Sequence, residues 1–128
     1  MLFRSDLVSF DKPVLAVLAA MMPSGTPHGT PVWFDMEDGL FRVNTARGRV
    51  KDRNMTERPH VCLTMLDPND PYRYLMVRGD VIRQTEEGGA EHIALLALKY
   101  RGRQVYDIPE GMVRVIYYVQ PTKVISRR

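Results

Sequence analysis

Apolar and polar residues alternate along most of this chain, and the alternation divides it into short extended segments separated by turn residues. Val14 to Ala20 is almost continuously apolar, the mark of a strand buried on both faces. Pro23-Ser24-Gly25-Thr26-Pro27 supplies turn residues and predicts a hairpin into Gly29 to Asp35. Glu37-Asp38-Gly39 predicts another tight turn, leading to Leu40, Phe41 and Val43. With connections this short, the three strands are expected to form an antiparallel meander. His60 to Leu66 alternates as a fourth strand, and Asp67-Pro68-Asn69-Asp70-Pro71 is expected as a loop, because such a run cannot continue a ladder. Tyr72 to Arg83 predicts a long fifth strand. Val113 to Val119 predicts a sixth, rich in β-branched and aromatic residues, with Val124-Ile125 extending the sheet beyond Pro121.

Helical spacing occurs in three places. Leu2 to Phe10 is a short amphipathic pattern ended by Lys12-Pro13. Gly48 to Glu57 predicts a second helix, stopped by Pro59, in which Lys51, Asn54 and Met55 share a face. Ala90 to Tyr100 predicts a third, with Ile93, Leu96, Ala97 and Tyr100 on one side and Gly102 as its stop. Arg103 to Gly111 reads as irregular. The expected architecture is mainly β: a single domain, residues 1–128, built as a six-stranded antiparallel small barrel with two or three short peripheral helices.

Composition adds limits more than detail. At 128 residues and 45% hydrophobic, the chain is long enough for one real core. Its longest apolar run, Val14 to Met22, falls well short of the ~20 residues a bilayer span needs, and no export leader is evident. The one cysteine, Cys62, lies in a strand pattern and reads as a buried thiol, which fits a cytoplasmic location. No membrane association and no nucleic-acid partner are expected, since zinc spacing, an aromatic RNA-binding consensus and a long basic arm are all missing.

Charge is unevenly spread. The whole chain carries +3, whereas Arg42 to Arg58 alone carries six basic residues against Asp52 and Glu57, a balance of +4. Within it, Arg47, Arg49, Lys51 and Arg53 follow a predicted strand and surround Gly48 at the start of a predicted helix. Helix N-terminal amides lack intrahelical partners and carry the positive end of the dipole, so this is the chemistry of an anion seat. The alternative is a solvated surface helix.

Catalytic constellations are missing from the pattern. No hydroxyl sits in a nucleophile elbow, Cys62 has no evident activating partner, and His28, His60 and His92 lack metal-ligand spacing. An anion seat without acid, base, nucleophile or metal points to a cofactor that brings its own reactivity. Thr30-Pro31-Val32-Trp33-Phe34 offers backbone polar groups beside apolar and aromatic surface, and Pro31 argues for an edge strand open to a ligand. Trp33 is equally suited to be a core anchor.

The order of Thr30-Pro-Val-Trp-Phe-Asp35, Val43-Asn-Thr-Ala-Arg-Gly-Arg-Val-Lys-Asp-Arg-Asn54, Arg58-Pro59 and Asp67-Pro-Asn-Asp-Pro-Tyr-Arg-Tyr74 resembles the pyridoxamine 5'-phosphate oxidase-like split β-barrel superfamily. Within it, the chain is most similar to the class B reductases that use deazaflavin coenzyme F-420, and Arg49-x-Lys51-x-x-Asn54 is the most specific element. The resemblance implies a homodimer with cofactor sites at the dimer interface. Carried over position by position, it implies phosphate contacts from Arg49, Lys51 and Asn54, with Thr45 and Arg47 as further candidates. Pro31, Val32 and Trp33 would lie against the ring system, and Tyr74 would approach from the long strand, of either protomer. Arg42, Arg53, Arg58, Arg101 and Arg103 could supply a track for the acidic tail of F-420. The implied activity is hydride transfer from reduced F-420 to a small conjugated or quinone-like acceptor. FMN is the alternative cofactor, and a non-catalytic flavin or deazaflavin carrier the alternative role.

Overall fold

A computed structural model describes residues 12–127; the helix expected at Leu2–Phe10 lies outside the described residues. Seven strands and two helices follow in the order β1 (Ala16–Met21), β2 (Pro27–Val32), β3 (Asp35–Glu37), β4 (Leu40–Ala46), α1 (Val50–Glu57), β5 (His60–Asp67), β6 (Asp70–Thr85), α2 (Gly89–Arg101) and β7 (Arg114–Arg127). All pair antiparallel in one sheet of order β2-β1-β5-β6-β7-β4-β3. The strand β3 is the one the sequence reading did not separate, because Asp35 stood there as the end of β2. It is three residues long and pairs only with β4.

The expected meander is corrected. β2 pairs with β1, but β4 pairs with β7, from Phe41 opposite Val119 to Ala46 opposite Arg114. β2 and β3 therefore form opposite edges of the sheet while only Trp33 and Phe34 separate them in sequence. Four consecutive Cα atoms reach at most about 11 Å. The sheet must roll until its edges meet, which makes it a barrel with a seam. Asp67 to Pro71 is also tighter than expected: Asp67 pairs with Asp70, so Pro68 and Asn69 alone make the hairpin turn.

Inward residues fill the barrel. Leu18, Leu63, Val77 and Leu75 from β1, β5 and β6 meet Phe41, Val43, Val115, Tyr117 and Val119 from β4 and β7, all buried. The core also takes Met55 from α1. β6 and β7 bend through two register shifts, and at the first Gly79 lies opposite Pro121. A Cβ on Gly79 would come within 2.7 Å of the Gln120 carbonyl oxygen, so the close approach needs glycine there. The bulge also accommodates Pro121, and β7 runs unbroken where a separate extension was expected.

α2 fastens the seam. The Phe34 N–H donates to the Tyr100 hydroxyl (3.1 Å), that hydroxyl donates to the Val14 carbonyl (2.7 Å), and the Lys99 ammonium donates to the Phe34 carbonyl (2.7 Å). Burial pushes the Tyr100 hydroxyl up to about 12, so it remains a proton donor across the physiological range. Tyr100→Phe should lower unfolding stability by about 1–3 kcal/mol, the cost of losing buried hydrogen bonds, in a urea titration. An unchanged midpoint would mean that the Tyr100 hydroxyl does not hold the seam.

Candidate functional site

On the outside of the barrel beside the seam, α1, α2 and the end of β2 enclose a groove made of two adjoining recesses. The first, about 270 Å³, has an apolar wall of Pro31, Val32, Ile93 and Leu96, an aromatic end of Trp33 and Tyr106, and the cations Lys51, Arg101 and Arg114. The second, about 380 Å³, lies at the start of α1 and is lined by His28, Gly48, Arg49, Val50, Lys51 and Arg53. Lys51 belongs to both. Neither has an acidic residue in its lining.

Local sequence explains the seat at α1. Gly48 adopts φ +89°, which an L side chain rarely tolerates, and a Cβ there would meet nothing within 4 Å. The glycine serves the turn rather than clearance. That turn makes Arg49 the N-cap residue and starts the helix at Val50, two residues later than the sequence pattern implied. Arg49 offers no side-chain cap, so the first-turn amides remain available to a ligand.

The cations here are poorly neutralised. Lys51 donates to the Thr30 hydroxyl at 3.2 Å, and burial together with Arg49 and Arg114 pulls its ammonium below the ordinary value. Burial likewise lowers Arg114, with Arg49 adding repulsion that the nearby Tyr106 hydroxyl partly opposes. Trp33 is stacked on Tyr100 (5.2 Å between centroids, 8° between planes), meets Tyr106 edge-on, and lies under the Arg101 guanidinium at 4.9 Å. The His28 Nδ1 is a buried ring nitrogen without a hydrogen-bond partner among the described residues, on the wall of the second recess. An arrangement like this can hold a flat ring against an apolar wall and an oxyanion against the cations.

Five of the nine residues predicted from sequence line the groove: Arg49, Lys51, Pro31, Val32 and Trp33. The other four lie elsewhere. Thr45 points into the barrel, its hydroxyl buried without a partner among the described residues. Arg47 is engaged by Asp52 (2.9 Å), Glu86 (2.8 Å) and Gln84. Asn54 is buried on another face of α1, where its amide nitrogen meets the Met22 sulfur (3.3 Å) and its oxygen accepts from Arg58 (3.1 Å). Tyr74 lies on β6 opposite Leu66 and Arg127. Of the proposed basic track, Arg53 and Arg101 reach the groove, while Arg42 is gripped by Asp35 through two bonds of 2.7–2.8 Å and Arg58 by the Met21 carbonyl and Glu57. Sequence reasoning missed Asn44, Tyr106 and Arg114. The one available signal was Arg114 itself, a charge at the head of an apolar strand.

The groove's floor rests on Asp52. Its carboxylate accepts from the Gly48 N–H (2.9 Å), from Arg47 and, through a very short bond, from Tyr117. Burial raises Asp52, but these bonds outweigh it and hold the carboxyl below the ordinary value. Burial and the Asp52 carboxylate push the Tyr117 hydroxyl up to about 12.

The family profile for pyridoxamine 5'-phosphate oxidase matches residues 6–125. The chain belongs to the pyridoxamine 5'-phosphate oxidase family. Among solved structures it is similar to an F-420 reductase, at 32% identity over 91% of this chain and 92% of that one, with a TM-score of 0.81. It also resembles a conserved hypothetical protein from Mycobacterium tuberculosis (21% identity, 98% and 89% of the chains, TM-score 0.73) and General Stress Protein 26 from Bacillus anthracis (20%, 91% and 86%, 0.66), likenesses that concern the fold alone. No curated protein matches the chain significantly. The seven-stranded rolled sheet is the split barrel of the pyridoxamine 5'-phosphate oxidase family. Membership, with the likeness to an F-420 reductase, suggests a flavin-type oxidoreductase. Among the described residues no helix is long and apolar enough to cross a membrane, and no group of three or more His, Cys, Asp or Glu could hold a metal.

Because Asp52 titrates lower folded than unfolded, the unfolded chain binds more protons in acid. The stability that Asp52 contributes is therefore complete above about pH 4 and is lost as pH falls through its lowered folded value. Asp52→Asn should flatten the acid limb of a stability-against-pH curve below about pH 4 relative to the parent protein. An acid limb of undiminished slope would exclude Asp52 as its source.

Proposed function

We propose that this protein is a reductase that uses coenzyme F-420, reducing a small conjugated or quinone-like acceptor. The observation that carries the reading is the joining, through Lys51, of an unneutralised cationic seat at α1 to a wall of Pro31, Val32 and Trp33. Its fit to a phosphate-bearing ring cofactor rests on the buried His28 Nδ1, which has no partner among the described residues, the lowered Lys51 and the uncapped amides of α1. The likeness to an F-420 reductase favours deazaflavin over FMN. Bound in such a groove, reduced F-420 supplies a hydride to an electron-poor double bond.

In this reading Arg49, Lys51 and the first-turn amides of α1 hold the phosphate by charge and hydrogen bonds together. Pro31, Val32 and Trp33 flank the ring and exclude water on one side. Arg53 and Arg101 attract the acidic tail. Arg47 supports the seat by tying Asp52 of α1 to Glu86 beyond β6, and Asn54 by holding α1 to Met22 at the end of β1. No side chain is strictly needed as a base, since solvent or a bound water can deliver the proton that completes the reduction.

A second copy of the chain completes the groove. Leu15, Val17 and Leu66 are about half exposed on the outer face of β1 and β5 and at its approach, and cross-strand pairing sets Val17 beside Thr64, Thr64 beside Met76, and Leu66 beside Tyr74. An apolar face of this kind suits a homodimer. It is continuous with the groove, since Leu15 and Pro31 belong to both. Tyr74 would then approach the partner's cofactor. Val17→Glu should shift sedimentation from dimer to monomer and weaken cofactor binding with it; a dimer that persists would put the interface elsewhere.

Parallel fluorescence titrations with F-420 and FMN test the cofactor. Saturable, preferential F-420 binding is expected. Preference for FMN would turn the reading to an FMN-dependent oxidoreductase, and tight binding of reduced F-420 that no acceptor reoxidises would turn it to a carrier. Lys51→Ala should weaken F-420 binding by about 1.5–3 kcal/mol, the range for hydrogen bonds to charged groups, with folding little changed. Unaltered affinity in that variant would remove the phosphate assignment.

A further inference from the structure

Among the described residues, the ion-paired arginines each stand beside one or two acidic groups. Arg42 has Asp35 and Glu37, Arg47 has Asp52 and Glu86, Arg58 has Glu57, and Arg73 has Asp67. Arg114 is different. It is only 6% exposed, it lines the first recess, and it takes part in none of the ion pairs among the described residues. Its Nε donates to the Asn44 Oδ1 at 2.8 Å, the Met112 sulfur is a distant 3.9 Å from one terminal nitrogen, and the Tyr106 ring centre lies 5.4 Å away. None of these neutralises the charge, and a guanidinium removed from water without a counter-ion is costly.

The arrangement that holds it is directional. The Gly89 carbonyl can only accept, so the Asn44 group 2.9 Å from it is the amide nitrogen. That same nitrogen lies 3.0 Å from the His92 Nδ1, which must then accept. The ring proton consequently sits on Nε2 and is donated to the Asp35 Oδ1 at 3.1 Å. Asp35 is itself fixed by the two-pronged grip of Arg42. The Asn44 amide nitrogen thus donates to both the Gly89 carbonyl and the His92 Nδ1, His92 donates on to Asp35, and the Asn44 oxygen is committed to Arg114. Gly89 lets α2 come this near: a Cβ there would lie 2.3 Å from the Arg114 carbonyl oxygen.

We propose that Arg114 is a further ligand-binding residue, the buried cation that meets an oxyanion, phosphate or carboxylate, of the molecule in the groove, and that Asn44 and His92 are its positioning residues. Asn44 occupies the place where an aspartate of the same shape would have neutralised Arg114 internally. With the amide there, the guanidinium is oriented but its charge stays available. The inference rests on the groove being the ligand site and not on which cofactor fills it.

Trp33 is the chain's one tryptophan and lies in the same recess, so its fluorescence reports on the site directly. The protein is titrated with inorganic phosphate and, separately, with benzoate at constant ionic strength, with F-420 and FMN titrations alongside. The expected result is a saturable response to at least one anion, weakened about 10- to 100-fold in Arg114→Gln. The preferred anion identifies the oxyanion. Asn44→Asp should weaken the response similarly while its melting temperature does not fall, because the new carboxylate pairs with Arg114. A merely structural asparagine would leave anion affinity alone. His92→Phe should give a smaller loss, and the exposed Lys123→Gln none. No anion response in the parent protein, or equal affinity in Arg114→Gln, overturns the proposal. If F-420 or FMN still binds in that case, the cofactor reading stands alone. If the anions bind through Arg114 and neither cofactor does, this inference stands and the cofactor reading fails.

Discussion

Two residues, Trp33 and Phe34, impose closure on the sheet. They join its opposite edges, so no flat or weakly curled arrangement of the seven strands satisfies the chain. Everything near the site follows from that short tether. The edges cannot pair along their length, because β3 has only three residues and Pro27 and Pro31 interrupt the donor row of β2. A gap is left, and α2 lies across it with Tyr100 and Lys99 bonded to the backbone of Phe34 in the link and Tyr100 also to that of Val14 before β1. The same helix then supplies Ile93, Leu96 and Arg101 to the groove. Closing the barrel and walling the groove are one act of packing.

Electrostatics divides the arginines into two groups with different consequences. Arg42 and Arg47 are bound by carboxylates and brace elements: the first ties β3 to β4, the second ties the turn before α1 to β6 and its exit. Such pairs fix geometry more than they add stability. Arg49, Lys51 and Arg114 face one another without an intervening acid and raise each other's free energy. A fold bears that repulsion most easily where water or an anion can relieve it. The distinction is invisible in net charge, which counts both groups alike.

Local signals were read well where local chemistry decides the outcome. Gly48 and the polar run after it mark the turn into α1, Gly102 closes α2 with φ +78°, and the alternation in β5 and β6 gives their buried faces. Strand pairing was not legible, because Leu40 to Ala46 looks the same whether its neighbour is β2 or β7. The two-residue link at Trp33 carries no turn residue and therefore no sign that the chain has crossed a seam. The site was half legible for a related reason. Arg49 and Lys51 act within six residues of Gly48, whereas Arg114 reaches the groove only through the pairing of β4 with β7 and the packing of α2. Thr45 and Asn54 fell on the right elements but on faces turned toward the interior.

The groove lies on the outer surface of the barrel, and the alternation of the strands has a consequence for how such a protein can change. Along β4, Phe41, Val43 and Thr45 face the core while Arg42, Asn44 and their neighbours on α2 face outward. Along this strand, residues that fill the core and residues that face the groove are thus interleaved in sequence yet separated in space. A substitution at an outward position reshapes the groove without opening a cavity inside. A lineage of such barrels can therefore explore new small molecules by single steps while its interior stays fixed.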